Sequence, residues 1–241
     1  MNVLGVILAR GGSQGLKNKH LLPLLGQPVI AYTFDHAGAA RWLSHVVVTS
    51  DCPNIRALAI HAGLATVARP PELATADASV QDVLLHALDA TKYPADALVV
   101  LYGNVPVRGA GVIDRAVDLL LGSGCDSVRS FCPVGKWHPA WMASLEGDRV
   151  VPLRPGSIHR RQDLESLYLH DGAVVAVSRG ALLSARQHRD DPHAFFGTDR
   201  RGILTAMDET VEIDSQRDLY WAEAVLRQRQ EILPHFARRT G

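Results

Sequence analysis

Val3-Leu4-Gly5-Val6-Ile7-Leu8-Ala9-Arg10-Gly11-Gly12-Ser13-Gln14-Gly15 begins as an unbroken apolar run and passes, with no polar interval, into an arginine and a cluster of glycines. Val3 to Ala9 has the length of a buried strand and is too short to span a membrane. A strand that is apolar on both faces must be covered on both, which points to a parallel sheet between helical layers. At the glycines the chain can curl tightly, and main-chain N–H groups can approach an anion with no Cβ in the way. Arg10, Lys17 and Lys19 would add positive charge around the same ligand. The spacing is neither GxxxxGK[ST] nor GxGxxG, so ATPase and dinucleotide readings lose weight. From these residues alone, an anion cradle and a plain strand-to-helix turn with surface cations both stay open.

Outward from this stretch, apolar β-branched runs recur at His45 to Ser50, Ala65 to Ala68, Ala97 to Tyr102, Ser127 to Phe131 and Ala173 to Val177. Helix candidates alternate with them at Pro28 to Ala39, Pro53 to Ala62, Ser79 to Ala90, Ala110 to Leu121 and Arg179 to Ala185. The alternation predicts an α/β fold with a mostly parallel, doubly wound sheet. It breaks between about residues 132 and 170, where Lys136-Trp137-His138-Pro139-Ala140-Trp141 and Gly147-Asp148-Arg149 predict loops and a hairpin inserted into a single domain of residues 1–241. Two tryptophans and the basic run Arg154 to Arg161 make the insertion a candidate for acceptor binding or dimerisation, a surface hairpin with a local aromatic core being the alternative. Ser215 to Leu233 places Leu219, Ala222, Val225, Leu226 and Ile232 on one face of a closing helix.

With 241 residues, 47% of them hydrophobic, the chain can bury a full core without covalent staples. Lys plus Arg equal Asp plus Glu at 25 each, so overall charge favours neither a nucleic acid nor an anionic membrane, and phosphate binding has to be local. Cys52, Cys125 and Cys132 are odd in number and form no CxxC pair, which argues against a disulfide framework or zinc knuckle and makes a reducing cytoplasm the expected compartment. No targeting segment is recognised. His138, His159, His170, His188 and His193 show no metal-binding pairing on a helix, and no Gly-x-Ser-x-Gly elbow supports a hydrolase.

Ile7-Leu8-Ala9-Arg10-Gly11-Gly12-Ser13-Gln14-Gly15-Leu16-Lys17-Asn18-Lys19 resembles the N-terminal signature of the acylneuraminate (CMP-sialic acid synthetase) cytidylyltransferase family. The resemblance continues through Arg69-Pro70-Pro71-Glu72-Leu73-Ala74, Asp77-Ala78-Ser79, His86-Ala87-Leu88 and Val211-Glu212-Ile213-Asp214, and so covers nearly the whole chain. It implies a nucleotide-binding fold of the nucleotide-diphospho-sugar transferase type, CTP as co-substrate, Mg²⁺ as cofactor, pyrophosphate as a product and a homodimer.

On that resemblance, Arg10, Gly11, Gly12, Ser13, Gly15 and Lys19 grip the triphosphate, with Arg10 and Lys19 catalytic and Lys19 placed to stabilise departing pyrophosphate. Gln14 stands where many relatives have lysine. Arg69, stiffened by two following prolines, resembles the arginine near cytosine and ribose, and main-chain groups around Ala78 and Ser79 would read the base edge. A surface ion pair is the other reading of Arg69. Glu212 and Asp214 flank Ile213, so an extended backbone turns both carboxylates to one side. They match the family's paired acids and suit Mg²⁺, Asp214 as main ligand and activator of the acceptor hydroxyl, Glu212 in support. A helix-capping role for Asp214 is the alternative.

Leu101-Tyr102-Gly103-Asn104-Val105-Pro106-Val107-Arg108 departs from the family's Leu-Gln-Pro-Thr-Ser-Pro-Leu-Arg, so the acceptor side differs from one built for sialic acid. At a strand's carboxyl end, Tyr102 and Asn104 are expected to face the acceptor or the metal, Asn104 as a neutral ligand where octulosonate cytidylyltransferases carry an acid. Arg161-Gln162 resembles the arginine-glutamine motif that would grip the acceptor carboxylate. Asp171-Gly172-Ala173 resembles the Asn-Gly-Ala turn before a strand, with Asp171 either touching an acceptor hydroxyl or only shaping the turn. The implied reaction carries CMP from CTP to a nonulosonic (sialic-acid-like) or related keto sugar acid. A nucleotidyltransferase for another NTP or a sugar phosphate, and a nucleotide-binding protein without turnover, stay open.

Overall fold

A computed structural model describes residues 1–12, 15–154, 156 and 160–237, with the backbone alone for 161 and 230–237. The opening apolar run forms β1 (Val3–Leu8), buried along its whole length. In chain order there follow β2 (Pro23–Leu24), β3 (Gln27–Pro28), α1 (Val29–Ala39), β4 (Leu43–Ser50), α2 (Pro53–His61), β5 (Ala65–Ala68), α3 (Val80–Thr91), β6 (Ala97–Tyr102), α4 (Val112–Ser123) and β7 (Ser127–Pro133). The remainder comprises β8 (Ala143–Glu146), β9 (Arg149–Pro152), β10 (Tyr168–Ser178), α5 (Arg179–Ser184), β11 (Arg200–Leu204) and α6 (Gln216–Ala237). Among the described residues no helix is long and apolar enough to cross a membrane.

Seven strands make one sheet in the order β11-β7-β10-β6-β1-β4-β5, every pairing parallel except those of β10. Along β1 the side chains divide between the two faces as period two requires. Val3 and Ile7 pack with Ile30, Phe34, Ile55 and Leu120 from α1, α2 and α4, whereas Leu4, Val6 and Leu8 pack with Leu84 and Leu88 of α3 and Leu182 of α5. A third cluster ties α6, through Ala222 and Val225, to Val29, Val107, Val211 and Ile213.

The mostly parallel, doubly wound sheet is thus present, and two features of it lie outside the sequence expectations. The Asp171-Gly172-Ala173 turn sits inside β10, not before it. The strand pairs His170 with Phe131 and Val175 with Arg129, so the residues between bulge out, with Gly172 at φ 75°. Second, β11 adds a parallel edge strand of sequence Arg-Arg-Gly-Ile-Leu. Four of its five residues are exposed, so it lacks the apolar alternation by which strands announce themselves. Gly202 is required there, because a Cβ would lie 2.9 Å from the Phe131 ring.

Between the end of β7 and the start of β10, β8 and β9 form a separate two-stranded sheet around a turn with Gly147 at φ 68°. Leu145, Val150 and Leu153 of this hairpin stand exposed.

Candidate active site

The carboxyl ends of β1, β5 and β6 open on one edge of the sheet, where substrates of open α/β sheets bind. A cleft of ≈ 190 Å³ lies there, lined by Arg10, Lys19, Arg69, Ala78, Tyr102, Asn104 and Glu212. Seven expected site residues, separated by up to two hundred positions in sequence, therefore share one concavity. A roomier hollow of ≈ 560 Å³ lies between α1 and the start of α4. Its Arg108 and Arg229 already donate to backbone carbonyls, and it contains none of the expected residues.

At the end of β1, Arg10 donates to the Thr75 carbonyl at 2.8 Å, bridging the glycine loop to the loop before α3. Gly11 donates its N–H to Asp51 Oδ1 at 2.8 Å, so that amide is already taken and the inner wall of the loop carries an acid. Asp51 escaped the sequence reading, although Ser50-Asp51 at a strand's carboxyl end is the signal that could have found it. Gly12 faces open space, and a Cβ on Gly15 would lie 2.8 Å from the Asp214 carbonyl oxygen, which explains glycine there. Ser13 and Gln14 lie outside the described residues.

Arg69 is buried, donating to the Thr49 carbonyl at 2.9 Å and to Thr49 Oγ1 at 3.4 Å. It is not a surface ion pair. Burial lowers its pKa to about 10, still far above neutrality. Ser79 caps α3: its Oγ accepts from Asp82 N at 3.0 Å and donates to Asp82 Oδ2 at 2.8 Å. The Ser79 hydroxyl is therefore spent on the helix, leaving main-chain groups and Ala78 to the cleft. His20, which the sequence reading passed over, also lines the cleft. Burial first, then the Lys19 charge, holds its pKa down to about 3, so it is a neutral ring. Gly103 makes room for it, since a Cβ there would lie 3.0 Å from His20 Cδ2.

The acids come next. Ile213 is fully buried while Glu212 and Asp214 lie on the other side, Glu212 lining the cleft, as the alternation predicts. Lys19 Nζ donates to Asp214 Oδ1 at 2.7 Å. Asn104 Nδ2 donates to Glu212 Oε1 at 3.1 Å, to the Ile213 carbonyl at 3.0 Å and to Asp214 Oδ1 at 3.4 Å. Three acceptors around Nδ2 fix which end of the amide faces the acids. Asn104 thus presents a donor to the acidic pair, whereas a role as neutral metal ligand would need its side-chain oxygen turned to that place. Burial, followed by the nearby Asp214 charge, raises the Glu212 pKa above the ordinary carboxylate value. Asp214 does not cap α6. Asp218 does, accepting from Asp214 N, Ser215 N and Ser215 Oγ at 3.1, 2.8 and 2.8 Å.

Tyr102 reaches the cleft from the end of β6, its pKa pushed up to about 12 by burial and the Glu212 charge. Behind it, Arg108 is 2% exposed and donates to the Ala173, Val105 and Tyr102 carbonyls at 2.8, 2.7 and 2.8 Å and to Thr33 Oγ1 at 3.0 Å. It anchors the whole loop from 102 to 108, a role its sequence position did not disclose. Asp171 accepts from Ser130 Oγ, from Ala173 N at 3.1 Å, from Thr205 Oγ1 at 2.6 Å and from Thr210 Oγ1 at 3.0 Å. Burial pushes its pKa up, but these donors outweigh burial and hold it below the ordinary value. With its oxygens filled, Asp171 shapes the bulge, and the structure favours that reading over contact with an acceptor. Gln162 is exposed in a short 3-10 turn (Arg161–Asp163) outside the cleft lining, and the Arg161 side chain lies outside the described residues.

A family model described as cytidylyltransferase matches residues 4–230. Over 222 residues the chain is 28% identical to the N-acylneuraminate cytidylyltransferase of Streptococcus agalactiae serotype V (strain ATCC BAA-611 / 2603 V/R), covering 90% of this chain and 52% of that protein. It is 26% identical over 240 residues to the CMP-N,N'-diacetyllegionaminic acid synthase of Legionella pneumophila subsp. pneumophila (strain Philadelphia 1), covering 97% and 100%. The chain spans about half the length of the N-acylneuraminate cytidylyltransferases it matches. In fold it is similar to a solved CMP:2-keto-3-deoxy-manno-octonic acid synthetase complexed with CTP, with a TM-score of 0.70 at 19% identity, covering 95% of this chain and all of that one.

Proposed function

The chain belongs to the cytidylyltransferase family, and we propose that it transfers CMP from CTP to the hydroxyl of a 2-keto sugar acid, releasing pyrophosphate. The observation that carries this reading is the meeting of Arg10, Lys19 and Arg69 with Glu212 in one cleft at the carboxyl edge of the sheet. In-line attack on an α-phosphate needs a neutralised triphosphate and an acceptor oxygen held opposite the leaving group. Arg10 and Lys19 supply charge to the triphosphate, and Lys19 exchanges Asp214 for the departing pyrophosphate. Arg69 and the main chain at Ala78 hold the cytidine. Tyr102 borders the acceptor.

The donor set fits Mg²⁺, a hard cation that takes one or two protein carboxylates and fills its other positions with water and phosphate oxygens. Asp214 and Glu212 would hold it, the former already the exposed partner of a cation. When bound it would neutralise phosphate charge and favour ionisation of the attacking hydroxyl. The three cysteines are free thiols, in keeping with a cytoplasmic enzyme. The exposed Leu145, Val150 and Leu153 support a homodimer formed through the hairpin, for which light scattering should give twice the chain mass.

The test is pyrophosphate release from CTP and Mg²⁺ with N-acetylneuraminate, N,N'-diacetyllegionaminate and 3-deoxy-manno-octulosonate in turn. Release with at least one is expected. Silence with all three, or equal turnover with UTP, GTP or ATP, overturns the reading.

A further inference from the structure

The arginines of the sheet and its loops differ in what their donors do. Arg108 spends its own on carbonyls and Thr33, Arg69 gives two to Thr49, and Arg10 gives one to Thr75. Arg129 of β7 is different. Its guanidinium carbon lies 4.5 Å from the ring centre of Phe196 and 5.1 Å from that of Phe131. Arg200 of β11 lies 5.8 Å from the same Phe196 ring and donates to the Gly197 carbonyl at 2.7 Å. Among the described residues neither arginine is ion-paired, and the Arg129 guanidinium makes no hydrogen bond. The contrast with Arg41 is direct: that guanidinium also stacks, on Trp42, but its donors are filled by Asp118.

Contact with a phenyl face is made by the flat side of a guanidinium and leaves its edge, the planar fork of N–H donors, available to an anion. Half-burial, and then the like charge of Arg200, hold the Arg129 pKa below its ordinary value. A partly desolvated cation beside a second cation is costly until an anion completes it.

Its place in the sheet says which anion that is. Val100 of β6, Val175 of β10 and Arg129 of β7 are neighbours across three strands, so their side chains share a face. Tyr102, two residues beyond Val100, is on that face too and lines the cleft, and both it and Phe196 pack in the same apolar layer. β6 and β7 both run antiparallel to β10, so their carboxyl ends reach the same edge. Arg129 therefore sits on the acceptor side of Tyr102, away from Arg10 and Lys19.

We propose that Arg129, oriented by Phe131 and Phe196 and reinforced by Arg200, is the fork that binds the acceptor's carboxylate. The inference rests on the cytidylyltransferase reading above. A carboxylate offers two coplanar oxygens to one fork.

Steady-state kinetics on the full chain test it, using whichever acid of the three turns over fastest. Arg129→Leu should raise the acceptor KM about 10- to 100-fold, the range for a lost charge-assisted hydrogen bond, and leave the KM for CTP within about twofold, as expected of a contact made only to the acceptor. Arg129→Lys should recover only part, as a point charge replaces a fork. The carboxamide analogue of the acceptor should lose as much on the wild type and lose nothing more on Arg129→Leu. An unchanged acceptor KM in Arg129→Leu, or an amide penalty that persists in it, overturns the proposal. So does a sugar phosphate that outperforms every acid and responds to the substitution. Should Arg129→Leu fail to fold, Arg129→Lys and the amide on wild type decide. Should the wild type turn over none of the acids, the cytidylyltransferase reading falls, and calorimetric binding of the same acids to wild type and Arg129→Lys still judges the subsite.

Discussion

The two halves of the sheet on either side of β6 are built differently. Toward β1, the charged groups already have partners within the chain: Gly11 N–H with Asp51, Lys19 with Asp214, Asn104 with both acids, Arg69 with Thr49. Toward β7, the Arg129 guanidinium lies over Phe131 and Phe196 with no hydrogen bond among the described residues, and the hairpin that follows β7 leaves Leu145, Val150 and Leu153 exposed. The first side is held in shape before any ligand arrives, which suits a fixed co-substrate. The second is completed from outside, by an anion in one place and an apolar surface in another. A family that keeps its nucleotide and changes its acceptor would divide its surface in this way.

The sharpest way to break the comparison is Asp214→Ala. Pyrophosphate release should fall by about 1000-fold, the scale for losing a focused electrostatic contact. The melting temperature should move little, because Asp214, the exposed member of the Lys19–Asp214 pair, gains only about 1 kcal/mol from it. Retained turnover would remove Asp214 from the chemistry.

Next comes Arg108→Met. The buried guanidinium serves three carbonyls and a hydroxyl, so its loss should lower unfolding free energy by about 3–5 kcal/mol in urea titrations. A neutral outcome would mean that the loop from 102 to 108 is anchored elsewhere.

Asp171→Asn should cost about 1–3 kcal/mol at pH 7, since one oxygen that accepts hydroxyl protons becomes a donor. The sign of its pH dependence follows from the depressed pKa. The carboxylate's stabilisation is complete above the ordinary carboxylate pKa and is lost as pH falls through the folded value. The gap between wild type and variant in urea should therefore narrow as the solution is acidified below that range, and a constant gap would contradict the hydrogen-bond account. If Asp171 instead touched the acceptor, the variant would change acceptor KM more than stability.

The smallest effect belongs to the hairpin. Leu145→Ser should change unfolding free energy by no more than about 0.5 kcal/mol at concentrations too low for association. A large loss there would show that the hairpin is part of the core.

Legibility in the sequence followed the range of the interaction. The pairing of Glu212 and Asp214 on one side of Ile213 could be read because period two is a property of three adjacent residues. That Asn104 would turn its amide nitrogen to them could not, since those contacts span 108 to 110 residues. Arg69 could be placed in the cleft from its prolines and its resemblance, but its burial under Thr49 depends on β4 and β5 lying side by side. β11 stayed hidden because an exposed edge strand needs no apolar pattern, and Arg108 because nothing local marks a cation that will be sealed under a loop.

By itself, then, the sequence determined the alternation of buried strands and helices, the glycine loop that ends β1, and the residue types that can bind a triphosphate, all of which rest on neighbours a few positions apart. The tertiary structure alone decided which donors are spent and which are left. Asp171 is filled, Asp214 is shared with Lys19, and Arg129 lies over phenyl rings with no ion pair among the described residues, because hydrogen-bond satisfaction is a property of the packed whole.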